Sequence, residues 1–267
     1  MLPINYPREG RNVEEENYRR TATKWTTILA LCAMLALSFA IVVNANPDPQ
    51  APSVMTSSAG RRENFPTSQT APAYAGNVTQ IDITNEQLTK GWQGYYGSVS
   101  GTIVLDDALN NSMFTWALSA VGEVYAAWNA TTPDWSNLVC MDDSTAATEA
   151  SRLNILDSYA DNLTNTFSIT THPGFNVSTL GFEPNVCNLS VQTYVNDTAP
   201  DGSTYPRVFN ETALWDPTNS FSVYMALLND DQYGFNGSLW DFQMLVPEDG
   251  WDDNTDETTY YFYVELQ

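Results

Sequence analysis

The chain has 267 residues, 43% of them apolar and 12% aromatic, with 32 acidic against 10 basic side chains and a net charge of −22. That apolar and aromatic content is enough to fill a core and excludes general disorder. So acidic a surface repels phosphate and offers no counterion release, which excludes a nucleic-acid-binding role. Acidic excess with only two lysines, Lys24 and Lys90, is what a surface adapted to high salt carries. It is equally what a soluble, non-adhesive exterior carries.

Residues 1–24 form a leader containing Arg8, Arg11, Arg19, Arg20 and Lys24. The run WTTILALCAMLALSFAIVV, residues 25–43, is uncharged and apolar. As a helix it would reach roughly 28 Å, close to the hydrocarbon thickness of a bilayer. The bases before it, and their absence just after it, place the N-terminus in the cytoplasm and the remainder outside. A cleaved signal peptide is the rival reading, since Val43-Asn44-Ala45 is an acceptable cleavage site. The long leader and long apolar run favour an uncleaved transmembrane helix or signal anchor over 25–45. The expected location is the cell membrane, with the N-terminus in and an extracellular C-terminal body.

Residues 46–76 hold five prolines among many Ser, Thr and Ala residues and read as a semi-extended stalk. A pilin-like subunit also begins with a charged leader and an apolar helix. Here Pro47, Pro49 and Pro52 would break such a helix at once, so an extracellular filament or pilus subunit is the minor alternative.

From residue 77 to 267 the pattern is β. TQIDIT alternates, SVSGTIVLDD follows a glycine-rich stretch, and MFTWALSAV and EVYAAWNA read as a pair around Gly122. NLSVQTYVND, YPRVFNETALWD, SFSVYMALLND, LWDFQMLVPED and TTYYFYVEL continue at short spacing, separated by turn-rich segments such as APDGS, DPTN and DDQYGFNG. One stretch, DSTAATEASRLNILDSYADNL, predicts a single inserted helix with caps at Asp143 and Ser144 and with Leu153, Leu156 and Tyr159 on one face. The expected fold is mainly β, an antiparallel β-sandwich ectodomain behind one transmembrane helix.

Several residues are candidates for chemistry. Asn77, Asn110, Asn129, Asn162, Asn176, Asn188, Asn196, Asn210 and Asn236 each begin an N-glycosylation sequon, all beyond the apolar run. Cys32 lies in that run, so Cys140 and Cys187 are left to form one disulfide in an oxidising compartment; two buried thiols are the alternative. A zinc site lacks ligands, since His172 is the only histidine. That histidine stands beside Pro173 in a turn, and no Gly-x-Ser-x-Gly elbow occurs. Two converging carboxylates remain the one route to a hydrolase, and no catalysis is expected.

Two stretches suggest ligands. GWQGYYGSVSG, residues 91–101, sets Trp92, Tyr95 and Tyr96 among glycines. Core and edge packing is one reading of these rings, a sugar-stacking platform the other. In a strand Tyr95 and Tyr96 lie on opposite faces, one inward and one wet. PEDGWDDNTDETT crowds Asp249, Asp252, Asn254, Asp256 and Glu257 into one loop, with oxygen ligands at the alternating positions calcium takes. The pattern fails at Glu257, where a calcium loop has glycine, and at Tyr263; a solvated acidic turn explains it as well.

The run GWQGYYGSVSGTIVLDDALNNSMFTWAL, with LWDFQMLVPED and TTYYFYVELQ, resembles a group of uncharacterised archaeal exported proteins, membrane-anchored or secreted and β-rich. The resemblance covers residues 90–267 and brings no catalytic motif and no site residue. It implies an archaeal surface. The expected protein is a cell-surface structural or adhesion protein, with a carbohydrate-binding module as the alternative. Its expected partners are the membrane, surface glycans or envelope proteins, and other copies of itself.

Overall fold

A computed structural model describes residues 48–62, 67–200, 206–251 and 257–267. The leader, the apolar run and the core of the acidic loop (Asp252, Asn254, Asp256) lie outside the described residues, and among those described no helix is long and apolar enough to cross a membrane. The body is mainly β, and every strand pairing is antiparallel. In chain order the elements are β1 (Trp92–Gly97), β2 (Gly101–Asp106), β3 (Ser112–Leu118), β4 (Gly122–Ala127), β5 (Val139–Cys140), α1 (Asp143–Arg152) and α2 (Leu163–Thr166). They continue with β6 (Phe175–Val177), β7 (Leu180–Phe182), β8 (Ser190–Gln192), β9 (Asn210–Asp216) and β10 (Phe221–Leu227). The last are β11 (Gln232–Tyr233), β12 (Leu239–Trp240), β13 (Phe242–Pro247) and β14 (Tyr261–Leu266).

The frame is a six-stranded sheet in the order β14-β4-β10-β9-β5, with β8 also on β9. Its central strands are buried on both faces, so GEVYAA and FSVYMAL carry apolar residues at consecutive positions instead of alternating with polar ones. One face, with Val124, Ala126, Ala213, Tyr224 and Ala226, meets Met244 and Val246 of the β1–β13 ribbon together with Ala146, Leu163 and Phe167 of the helical segment. The opposite face, with Tyr125, Ala127, Leu214, Val223 and Met225, lies under Phe175 and Val177 of the β6–β7 hairpin and under Trp135 and Leu138. Cys140 and Cys187 form the disulfide on that side, with their Cα atoms 5.2 Å apart.

Four local expectations need correction. MFTWALSAV and EVYAAWNA do not pair: β3 pairs with β2, and β4 lies between β10 and β14. Gly122 separates them, with φ +133° and the Glu265 carbonyl where a Cβ would stand. Only glycine fits such a sharp departure of the chain. TQIDIT alternates as a strand should, yet it is exposed and joins no sheet among the described residues.

The single long helix is two short ones. α1 starts one residue earlier than expected, with Asp142 as N-cap and a capping box to Thr145. It ends at Leu153 because Asn154 takes φ +52°, and Asn162 caps α2. Leu153 is buried, Leu156 is exposed, and Tyr159 stacks on Trp251 with centroids 4.0 Å apart. α1 docks through Glu149, which is buried and receives a fork from Arg152 at 2.7 and 3.0 Å and the Tyr224 hydroxyl at 3.2 Å. The Arg152 guanidinium lies 4.2 Å from the ring centre of Trp128.

The stalk does not begin free. Gln50 exchanges backbone hydrogen bonds with Val264 at 2.9 and 2.8 Å, Pro49 is buried, and the Ser178 hydroxyl donates to Asp48 at 2.6 Å. The chain therefore touches the body first and is held to it again ahead of β1, where the Thr89 hydroxyl donates to Asp161.

Candidate functional site

β1 splits the three candidate aromatics. Tyr95 turns inward, edge-on to Phe262 at 5.0 Å, and burial raises the pKa of its phenol, with Glu248 adding to the effect. Trp92 is also used internally: its indole N–H donates to the Asp161 carbonyl at 2.6 Å and its ring lies 5.8 Å from Phe167. Tyr96 alone faces out, 46% exposed. Its ring meets Phe235 and Trp240 edge-on at 5.0 and 4.9 Å.

Phe235 and Trp240 come from the β11–β12 hairpin, a turn-rich segment whose rings were not expected to join Tyr96. Trp240 is fixed from both sides. Its N–H donates to the Asn236 side chain at 3.0 Å, and a Cβ at Gly234 would stand 2.6 Å from its ring. The result is a three-ring surface cluster on a braced hairpin, which is what stacking on an apolar sugar face requires. The sequence signal was the acids that bracket the hairpin, Asp230-Asp231 before and Asp241 after, with Tyr233, Phe235 and Trp240 between them.

Those acids meet beside the rings. Asp230, Asp231 and Asp241 each offer a carboxylate oxygen, all within 4.8 Å of one another. Asp241 is buried, and its carboxylate accepts the backbone N–H groups of Val99 at 2.6 Å and Asp231 at 3.0 Å. It joins the end of β1, the loop after β10 and the start of β13. Carboxylates so grouped are hard-cation ligands, and the triad has the donor chemistry that was expected of the acidic loop. In that loop Asp249 accepts from the Asn154 amide at 3.1 Å and Glu257 is exposed.

No family model, no characterised protein and no solved structure matches this chain.

The remaining candidates separate by burial. Asn77, Asn110, Asn176, Asn188, Asn196 and Asn236 are exposed, and Asn129 is half-buried. Asn162 and Asn210 are buried and committed. The Asn162 amide donates to the Asp157 carbonyl at 2.7 Å and its carbonyl oxygen caps α2, while the Asn210 side chain accepts from Gln192 at 2.7 Å. A glycan on either amide nitrogen would need space that the folded body does not leave.

His172 is also internal. Its Nε2 accepts the backbone N–H of Cys187 at 3.0 Å, which leaves the proton on Nδ1 to donate to the Pro173 carbonyl at 2.7 Å. Both ring nitrogens are thereby used in holding the loop beside the disulfide. Two carboxylates do converge, Glu123 on β4 and Glu265 on β14, opposite one another in the sheet register. They are 3% exposed each and sit beneath β6, where Ser178 N–H and the Tyr125 hydroxyl donate to Glu265 at 3.0 and 3.3 Å. Burial first, and the Glu265 charge second, push the Glu123 carboxyl up to about 8.

Proposed function

We propose that this is a non-catalytic cell-surface protein, serving envelope architecture or adhesion on an archaeal surface. Its N-terminal apolar segment is a single-pass anchor with the N-terminus in. Its body is a glycosylated β-sandwich ectodomain whose second layer is the β1–β13 ribbon. The observation that carries this reading is the Cys140–Cys187 disulfide, whose Cys187 is fully buried. Such bonds form and persist in oxidising compartments. The six exposed sequons agree with export, as does an acidic surface that stays soluble through self-repulsion.

The test is proteolysis of intact cells. The body should be released or degraded by external protease, and its mobility should change on enzymatic or chemical deglycosylation. A body reached only after lysis, with reduced thiols, overturns the reading.

The rings of Tyr96, Phe235 and Trp240 favour a second reading, a carbohydrate-binding surface module. Glycan-array binding by the protein should then fall about tenfold or more in Tyr96→Ala and Trp240→Ala, each removing one stacking face. Trp92→Ala would act through stability instead, since its ring is internal. An array with no bound glycan removes this second reading.

A further inference from the structure

The β2–β3 hairpin stands apart from both layers of the body. It forms a sheet of its own, with Gly101 at its base closed against Leu266 and no other described strand on either long edge. The register Ile103↔Trp116 and Leu105↔Phe114 puts four large apolar side chains on one face. They are 46% to 56% exposed. A two-stranded ribbon is marginal alone and gains stability from a third strand, and open edges of this kind invite strand addition.

The same chain carries a strand without a sheet. In Val78–Thr84 the alternation puts Thr79, Ile81 and Ile83 on one side, and the segment pairs with no described strand; Ile83 is 84% exposed. Its seven residues match the six and seven of β2 and β3. Both pieces are nearly free of charge in a strongly acidic chain: Asp82 is the only charge from residue 67 to 85, and none occurs from 108 to 122. Two such bodies repel over most of their surface, and these are the places where they can touch at least electrostatic cost.

We propose that the Val78–Thr84 segment of one copy adds as a third strand to an open edge of the β2–β3 hairpin of a second copy. Ile81 and Ile83 would then extend the rows Ile103, Leu105 and Trp116, Phe114. Backbone hydrogen bonds would supply affinity and the apolar row the register. A lipid surface is the weaker occupant, since Asp106 and Asp107 stand at the tip that would have to enter it. The inference rests on the surface-structural reading and names the partner as a second copy of this chain.

The experiment uses full-length chains carrying two different tags. One carries Asp82→Cys, which lies between Ile81 and Ile83 and so on the face of Val104 and Thr115; the other carries Val104→Cys or Thr115→Cys, one position for each open edge. A short thiol cross-linker should join the two tags, and Asp82→Cys paired with Ser136→Cys should give no product. Adding Ile81→Lys and Ile83→Lys to chains with Asp82→Cys as the donor position should lower the cross-linked fraction by about tenfold or more, because burying one isoleucine already carries that much in an equilibrium constant. The melting temperature should not move, since the segment supports nothing within its own body.

Cross-links confined to one chain in a double-cysteine variant would mean that the segment folds back, and would overturn the proposal. So would the absence of mixed-tag product, or protection of the hairpin by lipid vesicles without it. Protease accessibility on cells is a separate readout, so failure here leaves the surface location to its own test.

Discussion

Replacing Glu123 by Gln should make the protein more stable at neutral pH and flatten its dependence on pH. The carboxyl lies 3% exposed against Glu265, and its pKa moves from the ordinary 4.5 to about 8 because burial and then the neighbouring charge disfavour ionisation. Between these values the unfolded chain has lost a proton that the folded chain keeps, so stability falls as pH rises through this window. At about 1.4 kcal/mol per pH unit the whole window amounts to roughly 5 kcal/mol. Below pH 4.5 both states are protonated and the group has no effect. Gln is neutral throughout and has nearly the same shape. The variant should match the wild type near pH 4.5 and exceed it by up to that amount near pH 8, which is roughly 10 °C in melting temperature for a domain of this size. The assay is thermal unfolding at constant ionic strength from pH 4.5 to 8.5. Glu211 is fully buried and raised for the same reason, so the variant should keep a residual slope. A wild type whose stability rises over this interval, or a variant that follows the wild-type slope, would show that Glu123 ionises at little cost and would refute the argument.

Three further outcomes follow from named contacts. Asp142→Ala removes the N-cap of α1, where Thr145 N–H is held at 2.8 Å, and should cost about 1 kcal/mol in chemical denaturation. Reducing Cys140–Cys187 opens a loop of 47 residues and should lower stability by about 4 kcal/mol on the chain-entropy account, read as a shift of the urea midpoint with and without reductant. Gly122→Ala must hold φ +133° with its Cβ against the Glu265 carbonyl; a loss of about 3 kcal/mol or more is expected, or failure to fold.

Strand content and the disulfide were legible in the sequence because each has a local signal: runs of β-branched and aromatic residues between turns, and two cysteines beyond the apolar run. The opposed faces of Tyr95 and Tyr96 followed from the period of a strand alone. Pairing was not legible. Nothing local in EVYAAWNA says that its partners are β10 and β14, whose residues come about 100 and 140 positions later, and adjacency in the chain suggested β3 instead. The helix was drawn too long because Leu153, Leu156 and Tyr159 keep helical spacing across a break that one backbone angle at Asn154 imposes. The Tyr96–Phe235–Trp240 cluster stayed hidden because its rings are about 140 positions apart in the chain. TQIDIT has the pattern of a strand, and the monomer gives it no sheet.

The segment between Gln50 and Thr89 is held at both ends by one body, at the Val264 bridge and where the Thr89 hydroxyl donates to Asp161. Its two arms are unequal: Thr84 lies five positions before Thr89, whereas Val78 lies 28 after Gln50. The short arm is the leash. At about 3.5 Å per extended residue it reaches no more than roughly 18 Å. Whatever Ile81 and Ile83 grip must therefore lie almost flush against the molecule that offers them, and a chain of such grips would have a tight, length-limited repeat.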